Sequence, residues 1–439
     1  LDVYGEVLQK IETHYVKQPN WQELSRRGVD NLNVALTEAS FRELHLQGVP
    51  EETLRVFRDE LQRRMTVTVV HSRQEACEVA AVVARLAATQ LGLRPSATVL
   101  EFTSGATCAL DQYSTFLTSG ELEDQFSQIE GNFVGLGVEL KSQEQSLAIV
   151  SVIPAGPAER GGVRKGDRIV QVDGVSTTKV STDEAANLLK GLDGSTVQLT
   201  IVDAAGASRE LRLVRRRVEV PSVTEVKVID RTYGIAYLRL TCFQKTTARD
   251  LDTALWKLYR DGMQSLIVDV RGNPGGLLTA SVEVADRFLN SGNIVSTRGR
   301  NPREDFDYPA RGAGMWRVPL LVLIDGDTAS ASEIFAGAVH DHHRATVVGT
   351  RSYGKGSVQG IFPLDNSKAG LRLTTAKFYS PSGTAISDRG VSPDVLVQTV
   401  KKPVTDIAAG DNTSSEDATL VAALQVARNA LAQRQARAQ

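Results

Sequence analysis

Apolar residues recur at helical spacing through roughly the first 130 positions of the chain, then change rhythm twice. Between Thr53 and Met65 they keep the three-to-four step of a helix face, and Pro50-Glu51-Glu52 puts proline at a favoured first-turn position. Arg73–Leu91 carries Ala, Val and Leu with hardly a turn-former, which predicts a largely buried helix. Residues 1–130 therefore read as a helical region: a dimerisation arm, a lid or a cap on the core. Over 131–217 the pattern becomes short Val/Ile/Leu runs (FVGLGVEL, LAIVSVI, RIVQVDG, TVQLTIV) punctuated by glycine, with a tight-turn signal at Asp173-Gly174. One helix, 183–190, lies among them, so a small β-rich domain is expected. Over 218–400 strand-like runs (GIAYLRL, SLIVDV, PLLVLIDG, ATVVG) alternate with helical ones, which predicts an α/β domain with a partly parallel sheet. Residues 401–439 read as a polar linker around Gly410–Ser415 followed by a helix over Ala418–Ala438.

Charge narrows the class. Fifty Lys plus Arg against 52 Asp plus Glu leave a net charge of −2, which argues against a bulk polyanion partner. The basic run Arg215-Arg216-Arg217 is read as a solvated strand end. The longest apolar runs, Leu147–Ile153 and Pro319–Ile324, fall far short of the roughly 18 residues of a membrane span. The chain opens on Leu1, so the lack of a targeting segment carries no weight. Cys77, Cys108 and Cys242 show no metal-ligand spacing, and neither a metal nor a cofactor is expected.

The segment richest in chemistry is LIDGDTASASEIFAGAVHDHHRATVVGTRSYGKGSVQG, residues 323–360. A buried strand ends at Ile324 and a helix is expected to begin near Ser330. A serine there sits among free backbone N–H groups and at the positive end of the helix dipole, as an acyl-transfer nucleophile requires. Glu333, Gly337 and Asp341 share its helix face, but Asp341 is about 16 Å along the helix and is read as structural. The same distance excludes His340, His342 and His343 as its base. Lys355, between two glycines after the returning strand ATVVG, remains; a buried lysine can act as general base. Gly349 to Lys355 nearly matches a phosphate-binding loop, yet Gly356 replaces the Ser/Thr and a strand-like run follows in place of a helix.

Here the residues resemble the carboxyl-terminal processing (tail-specific) protease family, with the first serine of an ASASE string and a lysine 25 residues on (330 + 25 = 355). The resemblance implies that Ser330 attacks, Lys355 takes the proton and Gln359 orients the lysine. Asp269-Val270-Arg271-Gly272-Asn273-Pro274-Gly275-Gly276 resembles the family's glycine turn, implying an oxyanion hole from the N–H groups of Gly276 and Ala331. KFYSPSGTAISDRGVSPDV (377–395) and ALDQYSTFLTSGELEDQF (109–126) are similar to other family segments. The implied fold is an α/β protease core of crotonase/ClpP-like type with an inserted PDZ-like domain. The acidic turn Asp325-Gly326-Asp327 departs from the pattern and is a candidate influence on substrate charge preference.

Residues 131–217 resemble a PDZ domain, most clearly in SVIPAGPAERGGVRKGDRIVQVDGV. Gly135, Leu136, Gly137 and Val138 would nest a peptide carboxylate on backbone N–H groups, with Leu136 and Val138 lining a pocket for the last side chain. The reading is a serine endopeptidase acting on proteins recruited by their C-terminal tails, with no nucleic-acid partner. The resemblance implies a bacterial periplasm, cell envelope or plastid lumen, and a candidate homodimer. Two other readings remain: a catalytically silent PDZ scaffold that binds C-termini, and acyl-CoA chemistry on a crotonase-type core.

Overall fold

The structure, a computed structural model, describes residues 1–438 apart from 144–145, 179–181, 313–314, 366 and 398–416, so the linker expected at Gly410–Ser415 lies outside the described residues. Helices Asp2–His14, Trp21–Ala35, Ala39–His45, Glu51–Val67, Arg73–Leu91 and Pro95–Cys108 form the N-terminal region. The Asn20 and Ser72 side chains cap their helices by accepting from the N–H of Glu23 and Glu75. Arg73–Leu91 buries one face only, from Ala76 through Ala80, Val83 and Ala87 to Leu91, while Val82 on the other side is exposed. The expected largely buried helix is thereby corrected: alanine makes a stretch apolar by composition while offering little side-chain area to bury. The core of this region, with Tyr4, Ile11, Leu32, Phe57 and Phe102, continues onto Leu364, Leu371 and Leu373. Those leucines belong to the long hairpin of strands Ser357–Pro363 and Gly370–Tyr379, so the helices are fastened to the hairpin that carries Gln359.

The β-rich region is a six-stranded antiparallel sheet around Leu136, Leu147, Ile149, Ile169, Val172, Leu199 and Ile201, with helix Thr182–Leu189 packed on it. At Asp173-Gly174 both residues have positive φ (47° and 80°) and Val172 pairs Val175, the mirror-type turn that matches strand twist. Arg215 is not a solvated strand end. Only 7% exposed, it donates to the carbonyls of Leu188, Leu189 and Thr196, capping the C-terminus of the helix; Arg216 and Arg217 are exposed.

The main sheet runs Val223–Asp230, Ile235–Leu240, Ser265–Asp269, Leu320–Ile324, Ala345–Gly349, Val395–Leu396. Its first pair is antiparallel and the remainder parallel. Strand alternation separates two faces. Leu238, Leu240, Leu266, Val268 and Val322 meet helices Thr247–Arg260, Leu278–Asp286 and Ala331–Asp341, whereas Ile235, Tyr237, Ile267, Leu321 and Leu323 meet Ala423, Ala427 and Leu431 of the C-terminal helix. Three neighbouring strands end at Asp269, Ile324 and Gly349, and the three loops that leave these carboxyl ends carry the residues singled out by sequence. Ligand crevices of open α/β sheets form at such ends.

Candidate active site

Ser330 caps helix Ala331–Asp341 with φ 57° and ψ −117°, a conformation side-chain-bearing residues avoid. Surrounding contacts over-determine it. The Ala329 N–H and the Ser332 hydroxyl both donate to the Asn273 carbonyl, while the Ser281 hydroxyl donates to the Ala331 carbonyl. Asn273 is itself fixed, donating from Nδ2 to the Leu240 carbonyl and accepting at Oδ1 from the Gly275 N–H. Gly275 (φ 104°) lies so close that a Cβ there would stand 2.8 Å from Ser330 Cβ, and a Cβ on Gly276 (φ 136°) would meet the Phe243 carbonyl oxygen at 2.1 Å. Only glycine permits this double approach.

Glu333, one turn into the helix and wholly buried, joins the two loops. Oε2 accepts from the N–H of Ser330 (2.8 Å) and of Lys355 (2.8 Å); Oε1 accepts from the Gly354 N–H (2.7 Å) and the Ser352 hydroxyl (2.6 Å). Burial raises its pKa, and these four donors pull in the opposite direction. Sequence reasoning placed Glu333 on the right helix face without giving it a role; the serine-x-x-glutamate spacing of a capping box was the available signal. The carboxylate also occupies the N–H groups that a phosphate would need in the loop 349–355.

Ser330, Ala331, Gly276, Lys355 and Gln359 all line one cavity of about 890 Å³, whose lining also includes Phe133 and Lys190. Among the described residues the N–H groups of Gly276 and Ala331 have no acceptor, so two free donors flank the serine. Lys355 is half-buried; burial first, then the charge of Arg372, lower its pKa, and Glu333 partly restores it. Its Nζ lies 4.8 Å from the centre of the Tyr113 ring, and no hydrogen bond joins it to Ser330 or Gln359 among the described residues. Gln359 Nε2 donates to the hydroxyls of Thr374 (2.9 Å) and Ser357 (3.2 Å), while its Oε1 is buried without a partner among the described residues. The lysine, glutamine and serine thus share the cavity without being bonded to one another.

Residues outside the cavity have other tasks. Asp341 accepts from the Ser382 N–H at 3.0 Å, tying the far helix end to the turn after strand Gly370–Tyr379. His340 contacts Asp341, and His342 bonds the Asn293 carbonyl. Asp325 faces inward, accepting from the N–H of Gly272 and Asp327 and from the Thr328 hydroxyl. Neither Asp325 nor Asp327 lines the cavity; the Asp325 carboxylate holds two loops together.

At the PDZ-like sheet, the N–H groups of Leu136 and Gly137 have no acceptor among the described residues. Strand Val138–Gln143 forms a sheet edge beside helix Thr182–Leu189. Leu136, however, is 1% exposed and belongs to the core, so its side chain holds the loop in place from beneath and does not line an open pocket.

The PDZ domain profile matches residues 126–202 and the profile of Peptidase family S41 matches 234–397. A carboxy-terminal-processing protease of Bartonella bacilliformis is 39% identical over 303 residues, covering 67% of this chain and 68% of that protein. A carboxyl-terminal-processing protease of Synechocystis sp. is 35% identical over 268 residues, covering 60% of this chain and 62% of its own length. A chloroplastic carboxyl-terminal-processing peptidase of Arabidopsis thaliana is 32% identical over 302 residues, 66% of this chain and 58% of its own. Among solved structures, a photosystem II D1 C-terminal processing protease aligns over 90% of this chain and 92% of its own at 24% identity, with a TM-score of 0.46. A PDZ-bearing peptidase of family S41 is the class so defined. The chain belongs to the carboxyl-terminal-processing proteases of that family.

Proposed function

We propose that the chain is a serine endopeptidase that cleaves proteins presented by their C-terminal tails, with Ser330 as nucleophile, Lys355 as general base and Gln359 as the lysine's partner. The observation that carries the reading is the convergence of a strained serine, two unpaired N–H groups and a half-buried lysine on one cavity. In the working pose the neutral Lys355 amine leaves the Tyr113 ring and takes the Ser330 proton as Oγ attacks the scissile carbonyl. The N–H groups of Gly276 and Ala331 receive the oxyanion, and the lysine returns the proton to the departing amine. Water then hydrolyses the acyl-enzyme by the same proton path. Because burial lowers the Lys355 pKa, activity rises with pH as the ammonium loses its proton.

The division of labour follows the four segments 1–130, 131–217, 218–400 and 401–439. In the second, the nest at Gly135–Val138 receives the terminal carboxylate of the substrate, and its last residues add as a strand to the edge Val138–Gln143. The names of the relatives, one cyanobacterial and one chloroplastic, favour an extracytoplasmic or lumenal site of action. Among the described residues no helix is long and apolar enough to cross a membrane. Mass spectrometry of a tailed model protein tests the reading: wild type yields internal fragments, and Ser330→Ala and Lys355→Ala yield none while still binding the tail. Cleavage by Ser330→Ala defeats the mechanism, and tail binding without cleavage by wild type restores the silent scaffold.

A further inference from the structure

We infer that Asp111, in the loop following helix Pro95–Cys108, is a positioning residue that fixes which end of the Gln359 amide faces Lys355, acting through the hydroxyl of Thr374. The inference rests on the Ser330–Lys355–Gln359 reading above and assigns the helical region a part in catalysis beyond capping the core.

The argument is one of hydrogen-bond polarity. Asp111 Oδ1 accepts from the N–H of Tyr113 (2.8 Å), the N–H of Ser114 (3.0 Å) and the Thr374 hydroxyl (3.1 Å), and Oδ2 accepts from the Ser114 hydroxyl (3.1 Å). A hydroxyl carries one proton. With that proton given to Asp111, Thr374 Oγ1 has only lone pairs left for Gln359, so the amide must present its NH2 side, as it does at 2.9 Å. Reversing the amide would set Oε1 against a hydroxyl with no proton to offer. The carbonyl end is therefore directed away from Thr374, buried and without a partner among the described residues. An unpaired buried acceptor calls for a donor. Lys355, which lines the same cavity, carries donors and no acceptor when protonated.

Backbone geometry supports the same assignment. The hairpin register shifts between Val358, opposite Ala376, and Gln359, opposite Thr374, so a bulge re-aims Gln359 onto the residue that Asp111 holds. Both backbone groups of Thr374 are also tied to the N-terminal region: its N–H donates to the Ser114 hydroxyl and its carbonyl accepts from the Val16 N–H. Thr374 is 5% exposed, leaving water little access to the relay. The charged or titratable groups nearby are Arg372, Glu333 and Tyr113 around Lys355, Tyr353 and Asp388 beside Tyr113, and Tyr15 facing Asp111. All remain in place in the variants below.

Steady-state cleavage of a tailed model protein by the full chain, measured across pH, tests the relay. Thr374→Val removes the hydroxyl at nearly constant shape and Asp111→Ala removes its acceptor; each lowers kcat about tenfold with KM within about twofold, as for one misdirected buried hydrogen bond. The rising limb of activity also moves to lower pH, since an ammonium that loses an acceptor gives up its proton more readily. Thr374→Ser and Asp111→Asn retain the donor and the Oδ1-type acceptor and keep wild-type kcat within about twofold. The Asp111→Ala/Thr374→Val double variant is no slower than the slower single variant, because both cut one chain of bonds.

Losses that multiply, a limb that stays in place, or a Thr374→Ser as slow as Thr374→Val overturn the inference, as does a kcat loss explained by a lowered melting temperature. Gln359→Ala and Lys355→Ala separate the two levels. If both are inactive while Thr374→Val is normal, the relay alone falls; if Lys355→Ala still cleaves, the underlying reading falls with it.

Discussion

The two sides of the candidate site are built to different standards. On the Ser330 side, Asn273, Ser281 and Glu333 fix the serine and its neighbours by hydrogen bonds. On the Lys355 side, the amine rests on an aromatic ring with no hydrogen bond to Ser330 or Gln359 among the described residues, and Gln359 Oε1 has no partner among them either. Backbone N–H groups from both sides nevertheless meet on one carboxylate, that of Glu333. The difference teaches that the serine's strained backbone is a fixed reference, whereas the proposed mechanism asks the lysine side chain for a short further movement. A charged amine poised against a ring face is retained by about 0.5–2 kcal/mol, small enough to be exchanged for a substrate-bound pose.

The sharpest way to break this comparison is Glu333→Gln. The amide would turn an NH2 toward two of the four donors that converge there, costing about 3 kcal/mol or more of stability in urea denaturation, together with loss of cleavage. A fully stable, active Gln variant would show that the staple is dispensable. Next in size is Gly275→Ala, whose Cβ would press on Ser330 Cβ at 2.8 Å. Displacement of the nucleophile by a fraction of an ångström should lower kcat about a hundredfold, with tail binding measured by fluorescence anisotropy unchanged.

The base side is probed by Tyr113→Leu. Loss of the ring removes stabilisation of the ammonium, so the Lys355 pKa falls further and the rising limb of the pH–activity profile moves to lower pH. An unmoved limb would mean that the lysine does not rest on the ring in solution.

The smallest expected effect is at the edge of the glycine turn, where Arg271 holds both the buried Asp269 and Asp417 at the start of the C-terminal helix. The hydrogen bond from Arg271 leads the causes that lower the Asp417 pKa. A carboxylate depressed on folding adds stability above its unfolded pKa, and that stability is lost as pH falls through the folded value. Asp417→Asn should therefore cost at most about 1 kcal/mol at neutral pH, and the difference from wild type should vanish on acidification.

Much of this was legible along the chain. The Val/Ile/Leu runs of the main sheet, the alternation that sends Leu238 to one face and Tyr237 to the other, the Asp173-Gly174 turn and the helix opening at Ser330 all arise from local patterns. Ser330 and Lys355, 25 residues apart in sequence, could be expected at one cavity because a single helix and one returning strand separate them. Arg73–Leu91 and Arg215 were misread for the same reason: burial of a side chain depends on what lies across from it, which neither periodicity nor charge reveals.

By itself, then, the sequence determined where strands, helices and tight turns fall, and which residue types stand at the carboxyl ends of the parallel strands. Those features depend on backbone preferences and on spacing over a few residues. Only the tertiary structure decided that Glu333 would tie the serine loop to the lysine loop, and that Asp111, 248 positions before Gln359 (359 − 111), would sit behind it through Thr374. A hydrogen bond between distant segments is set by the direction in which each donor and acceptor points once the sheets have packed, and no pattern along the chain records that direction.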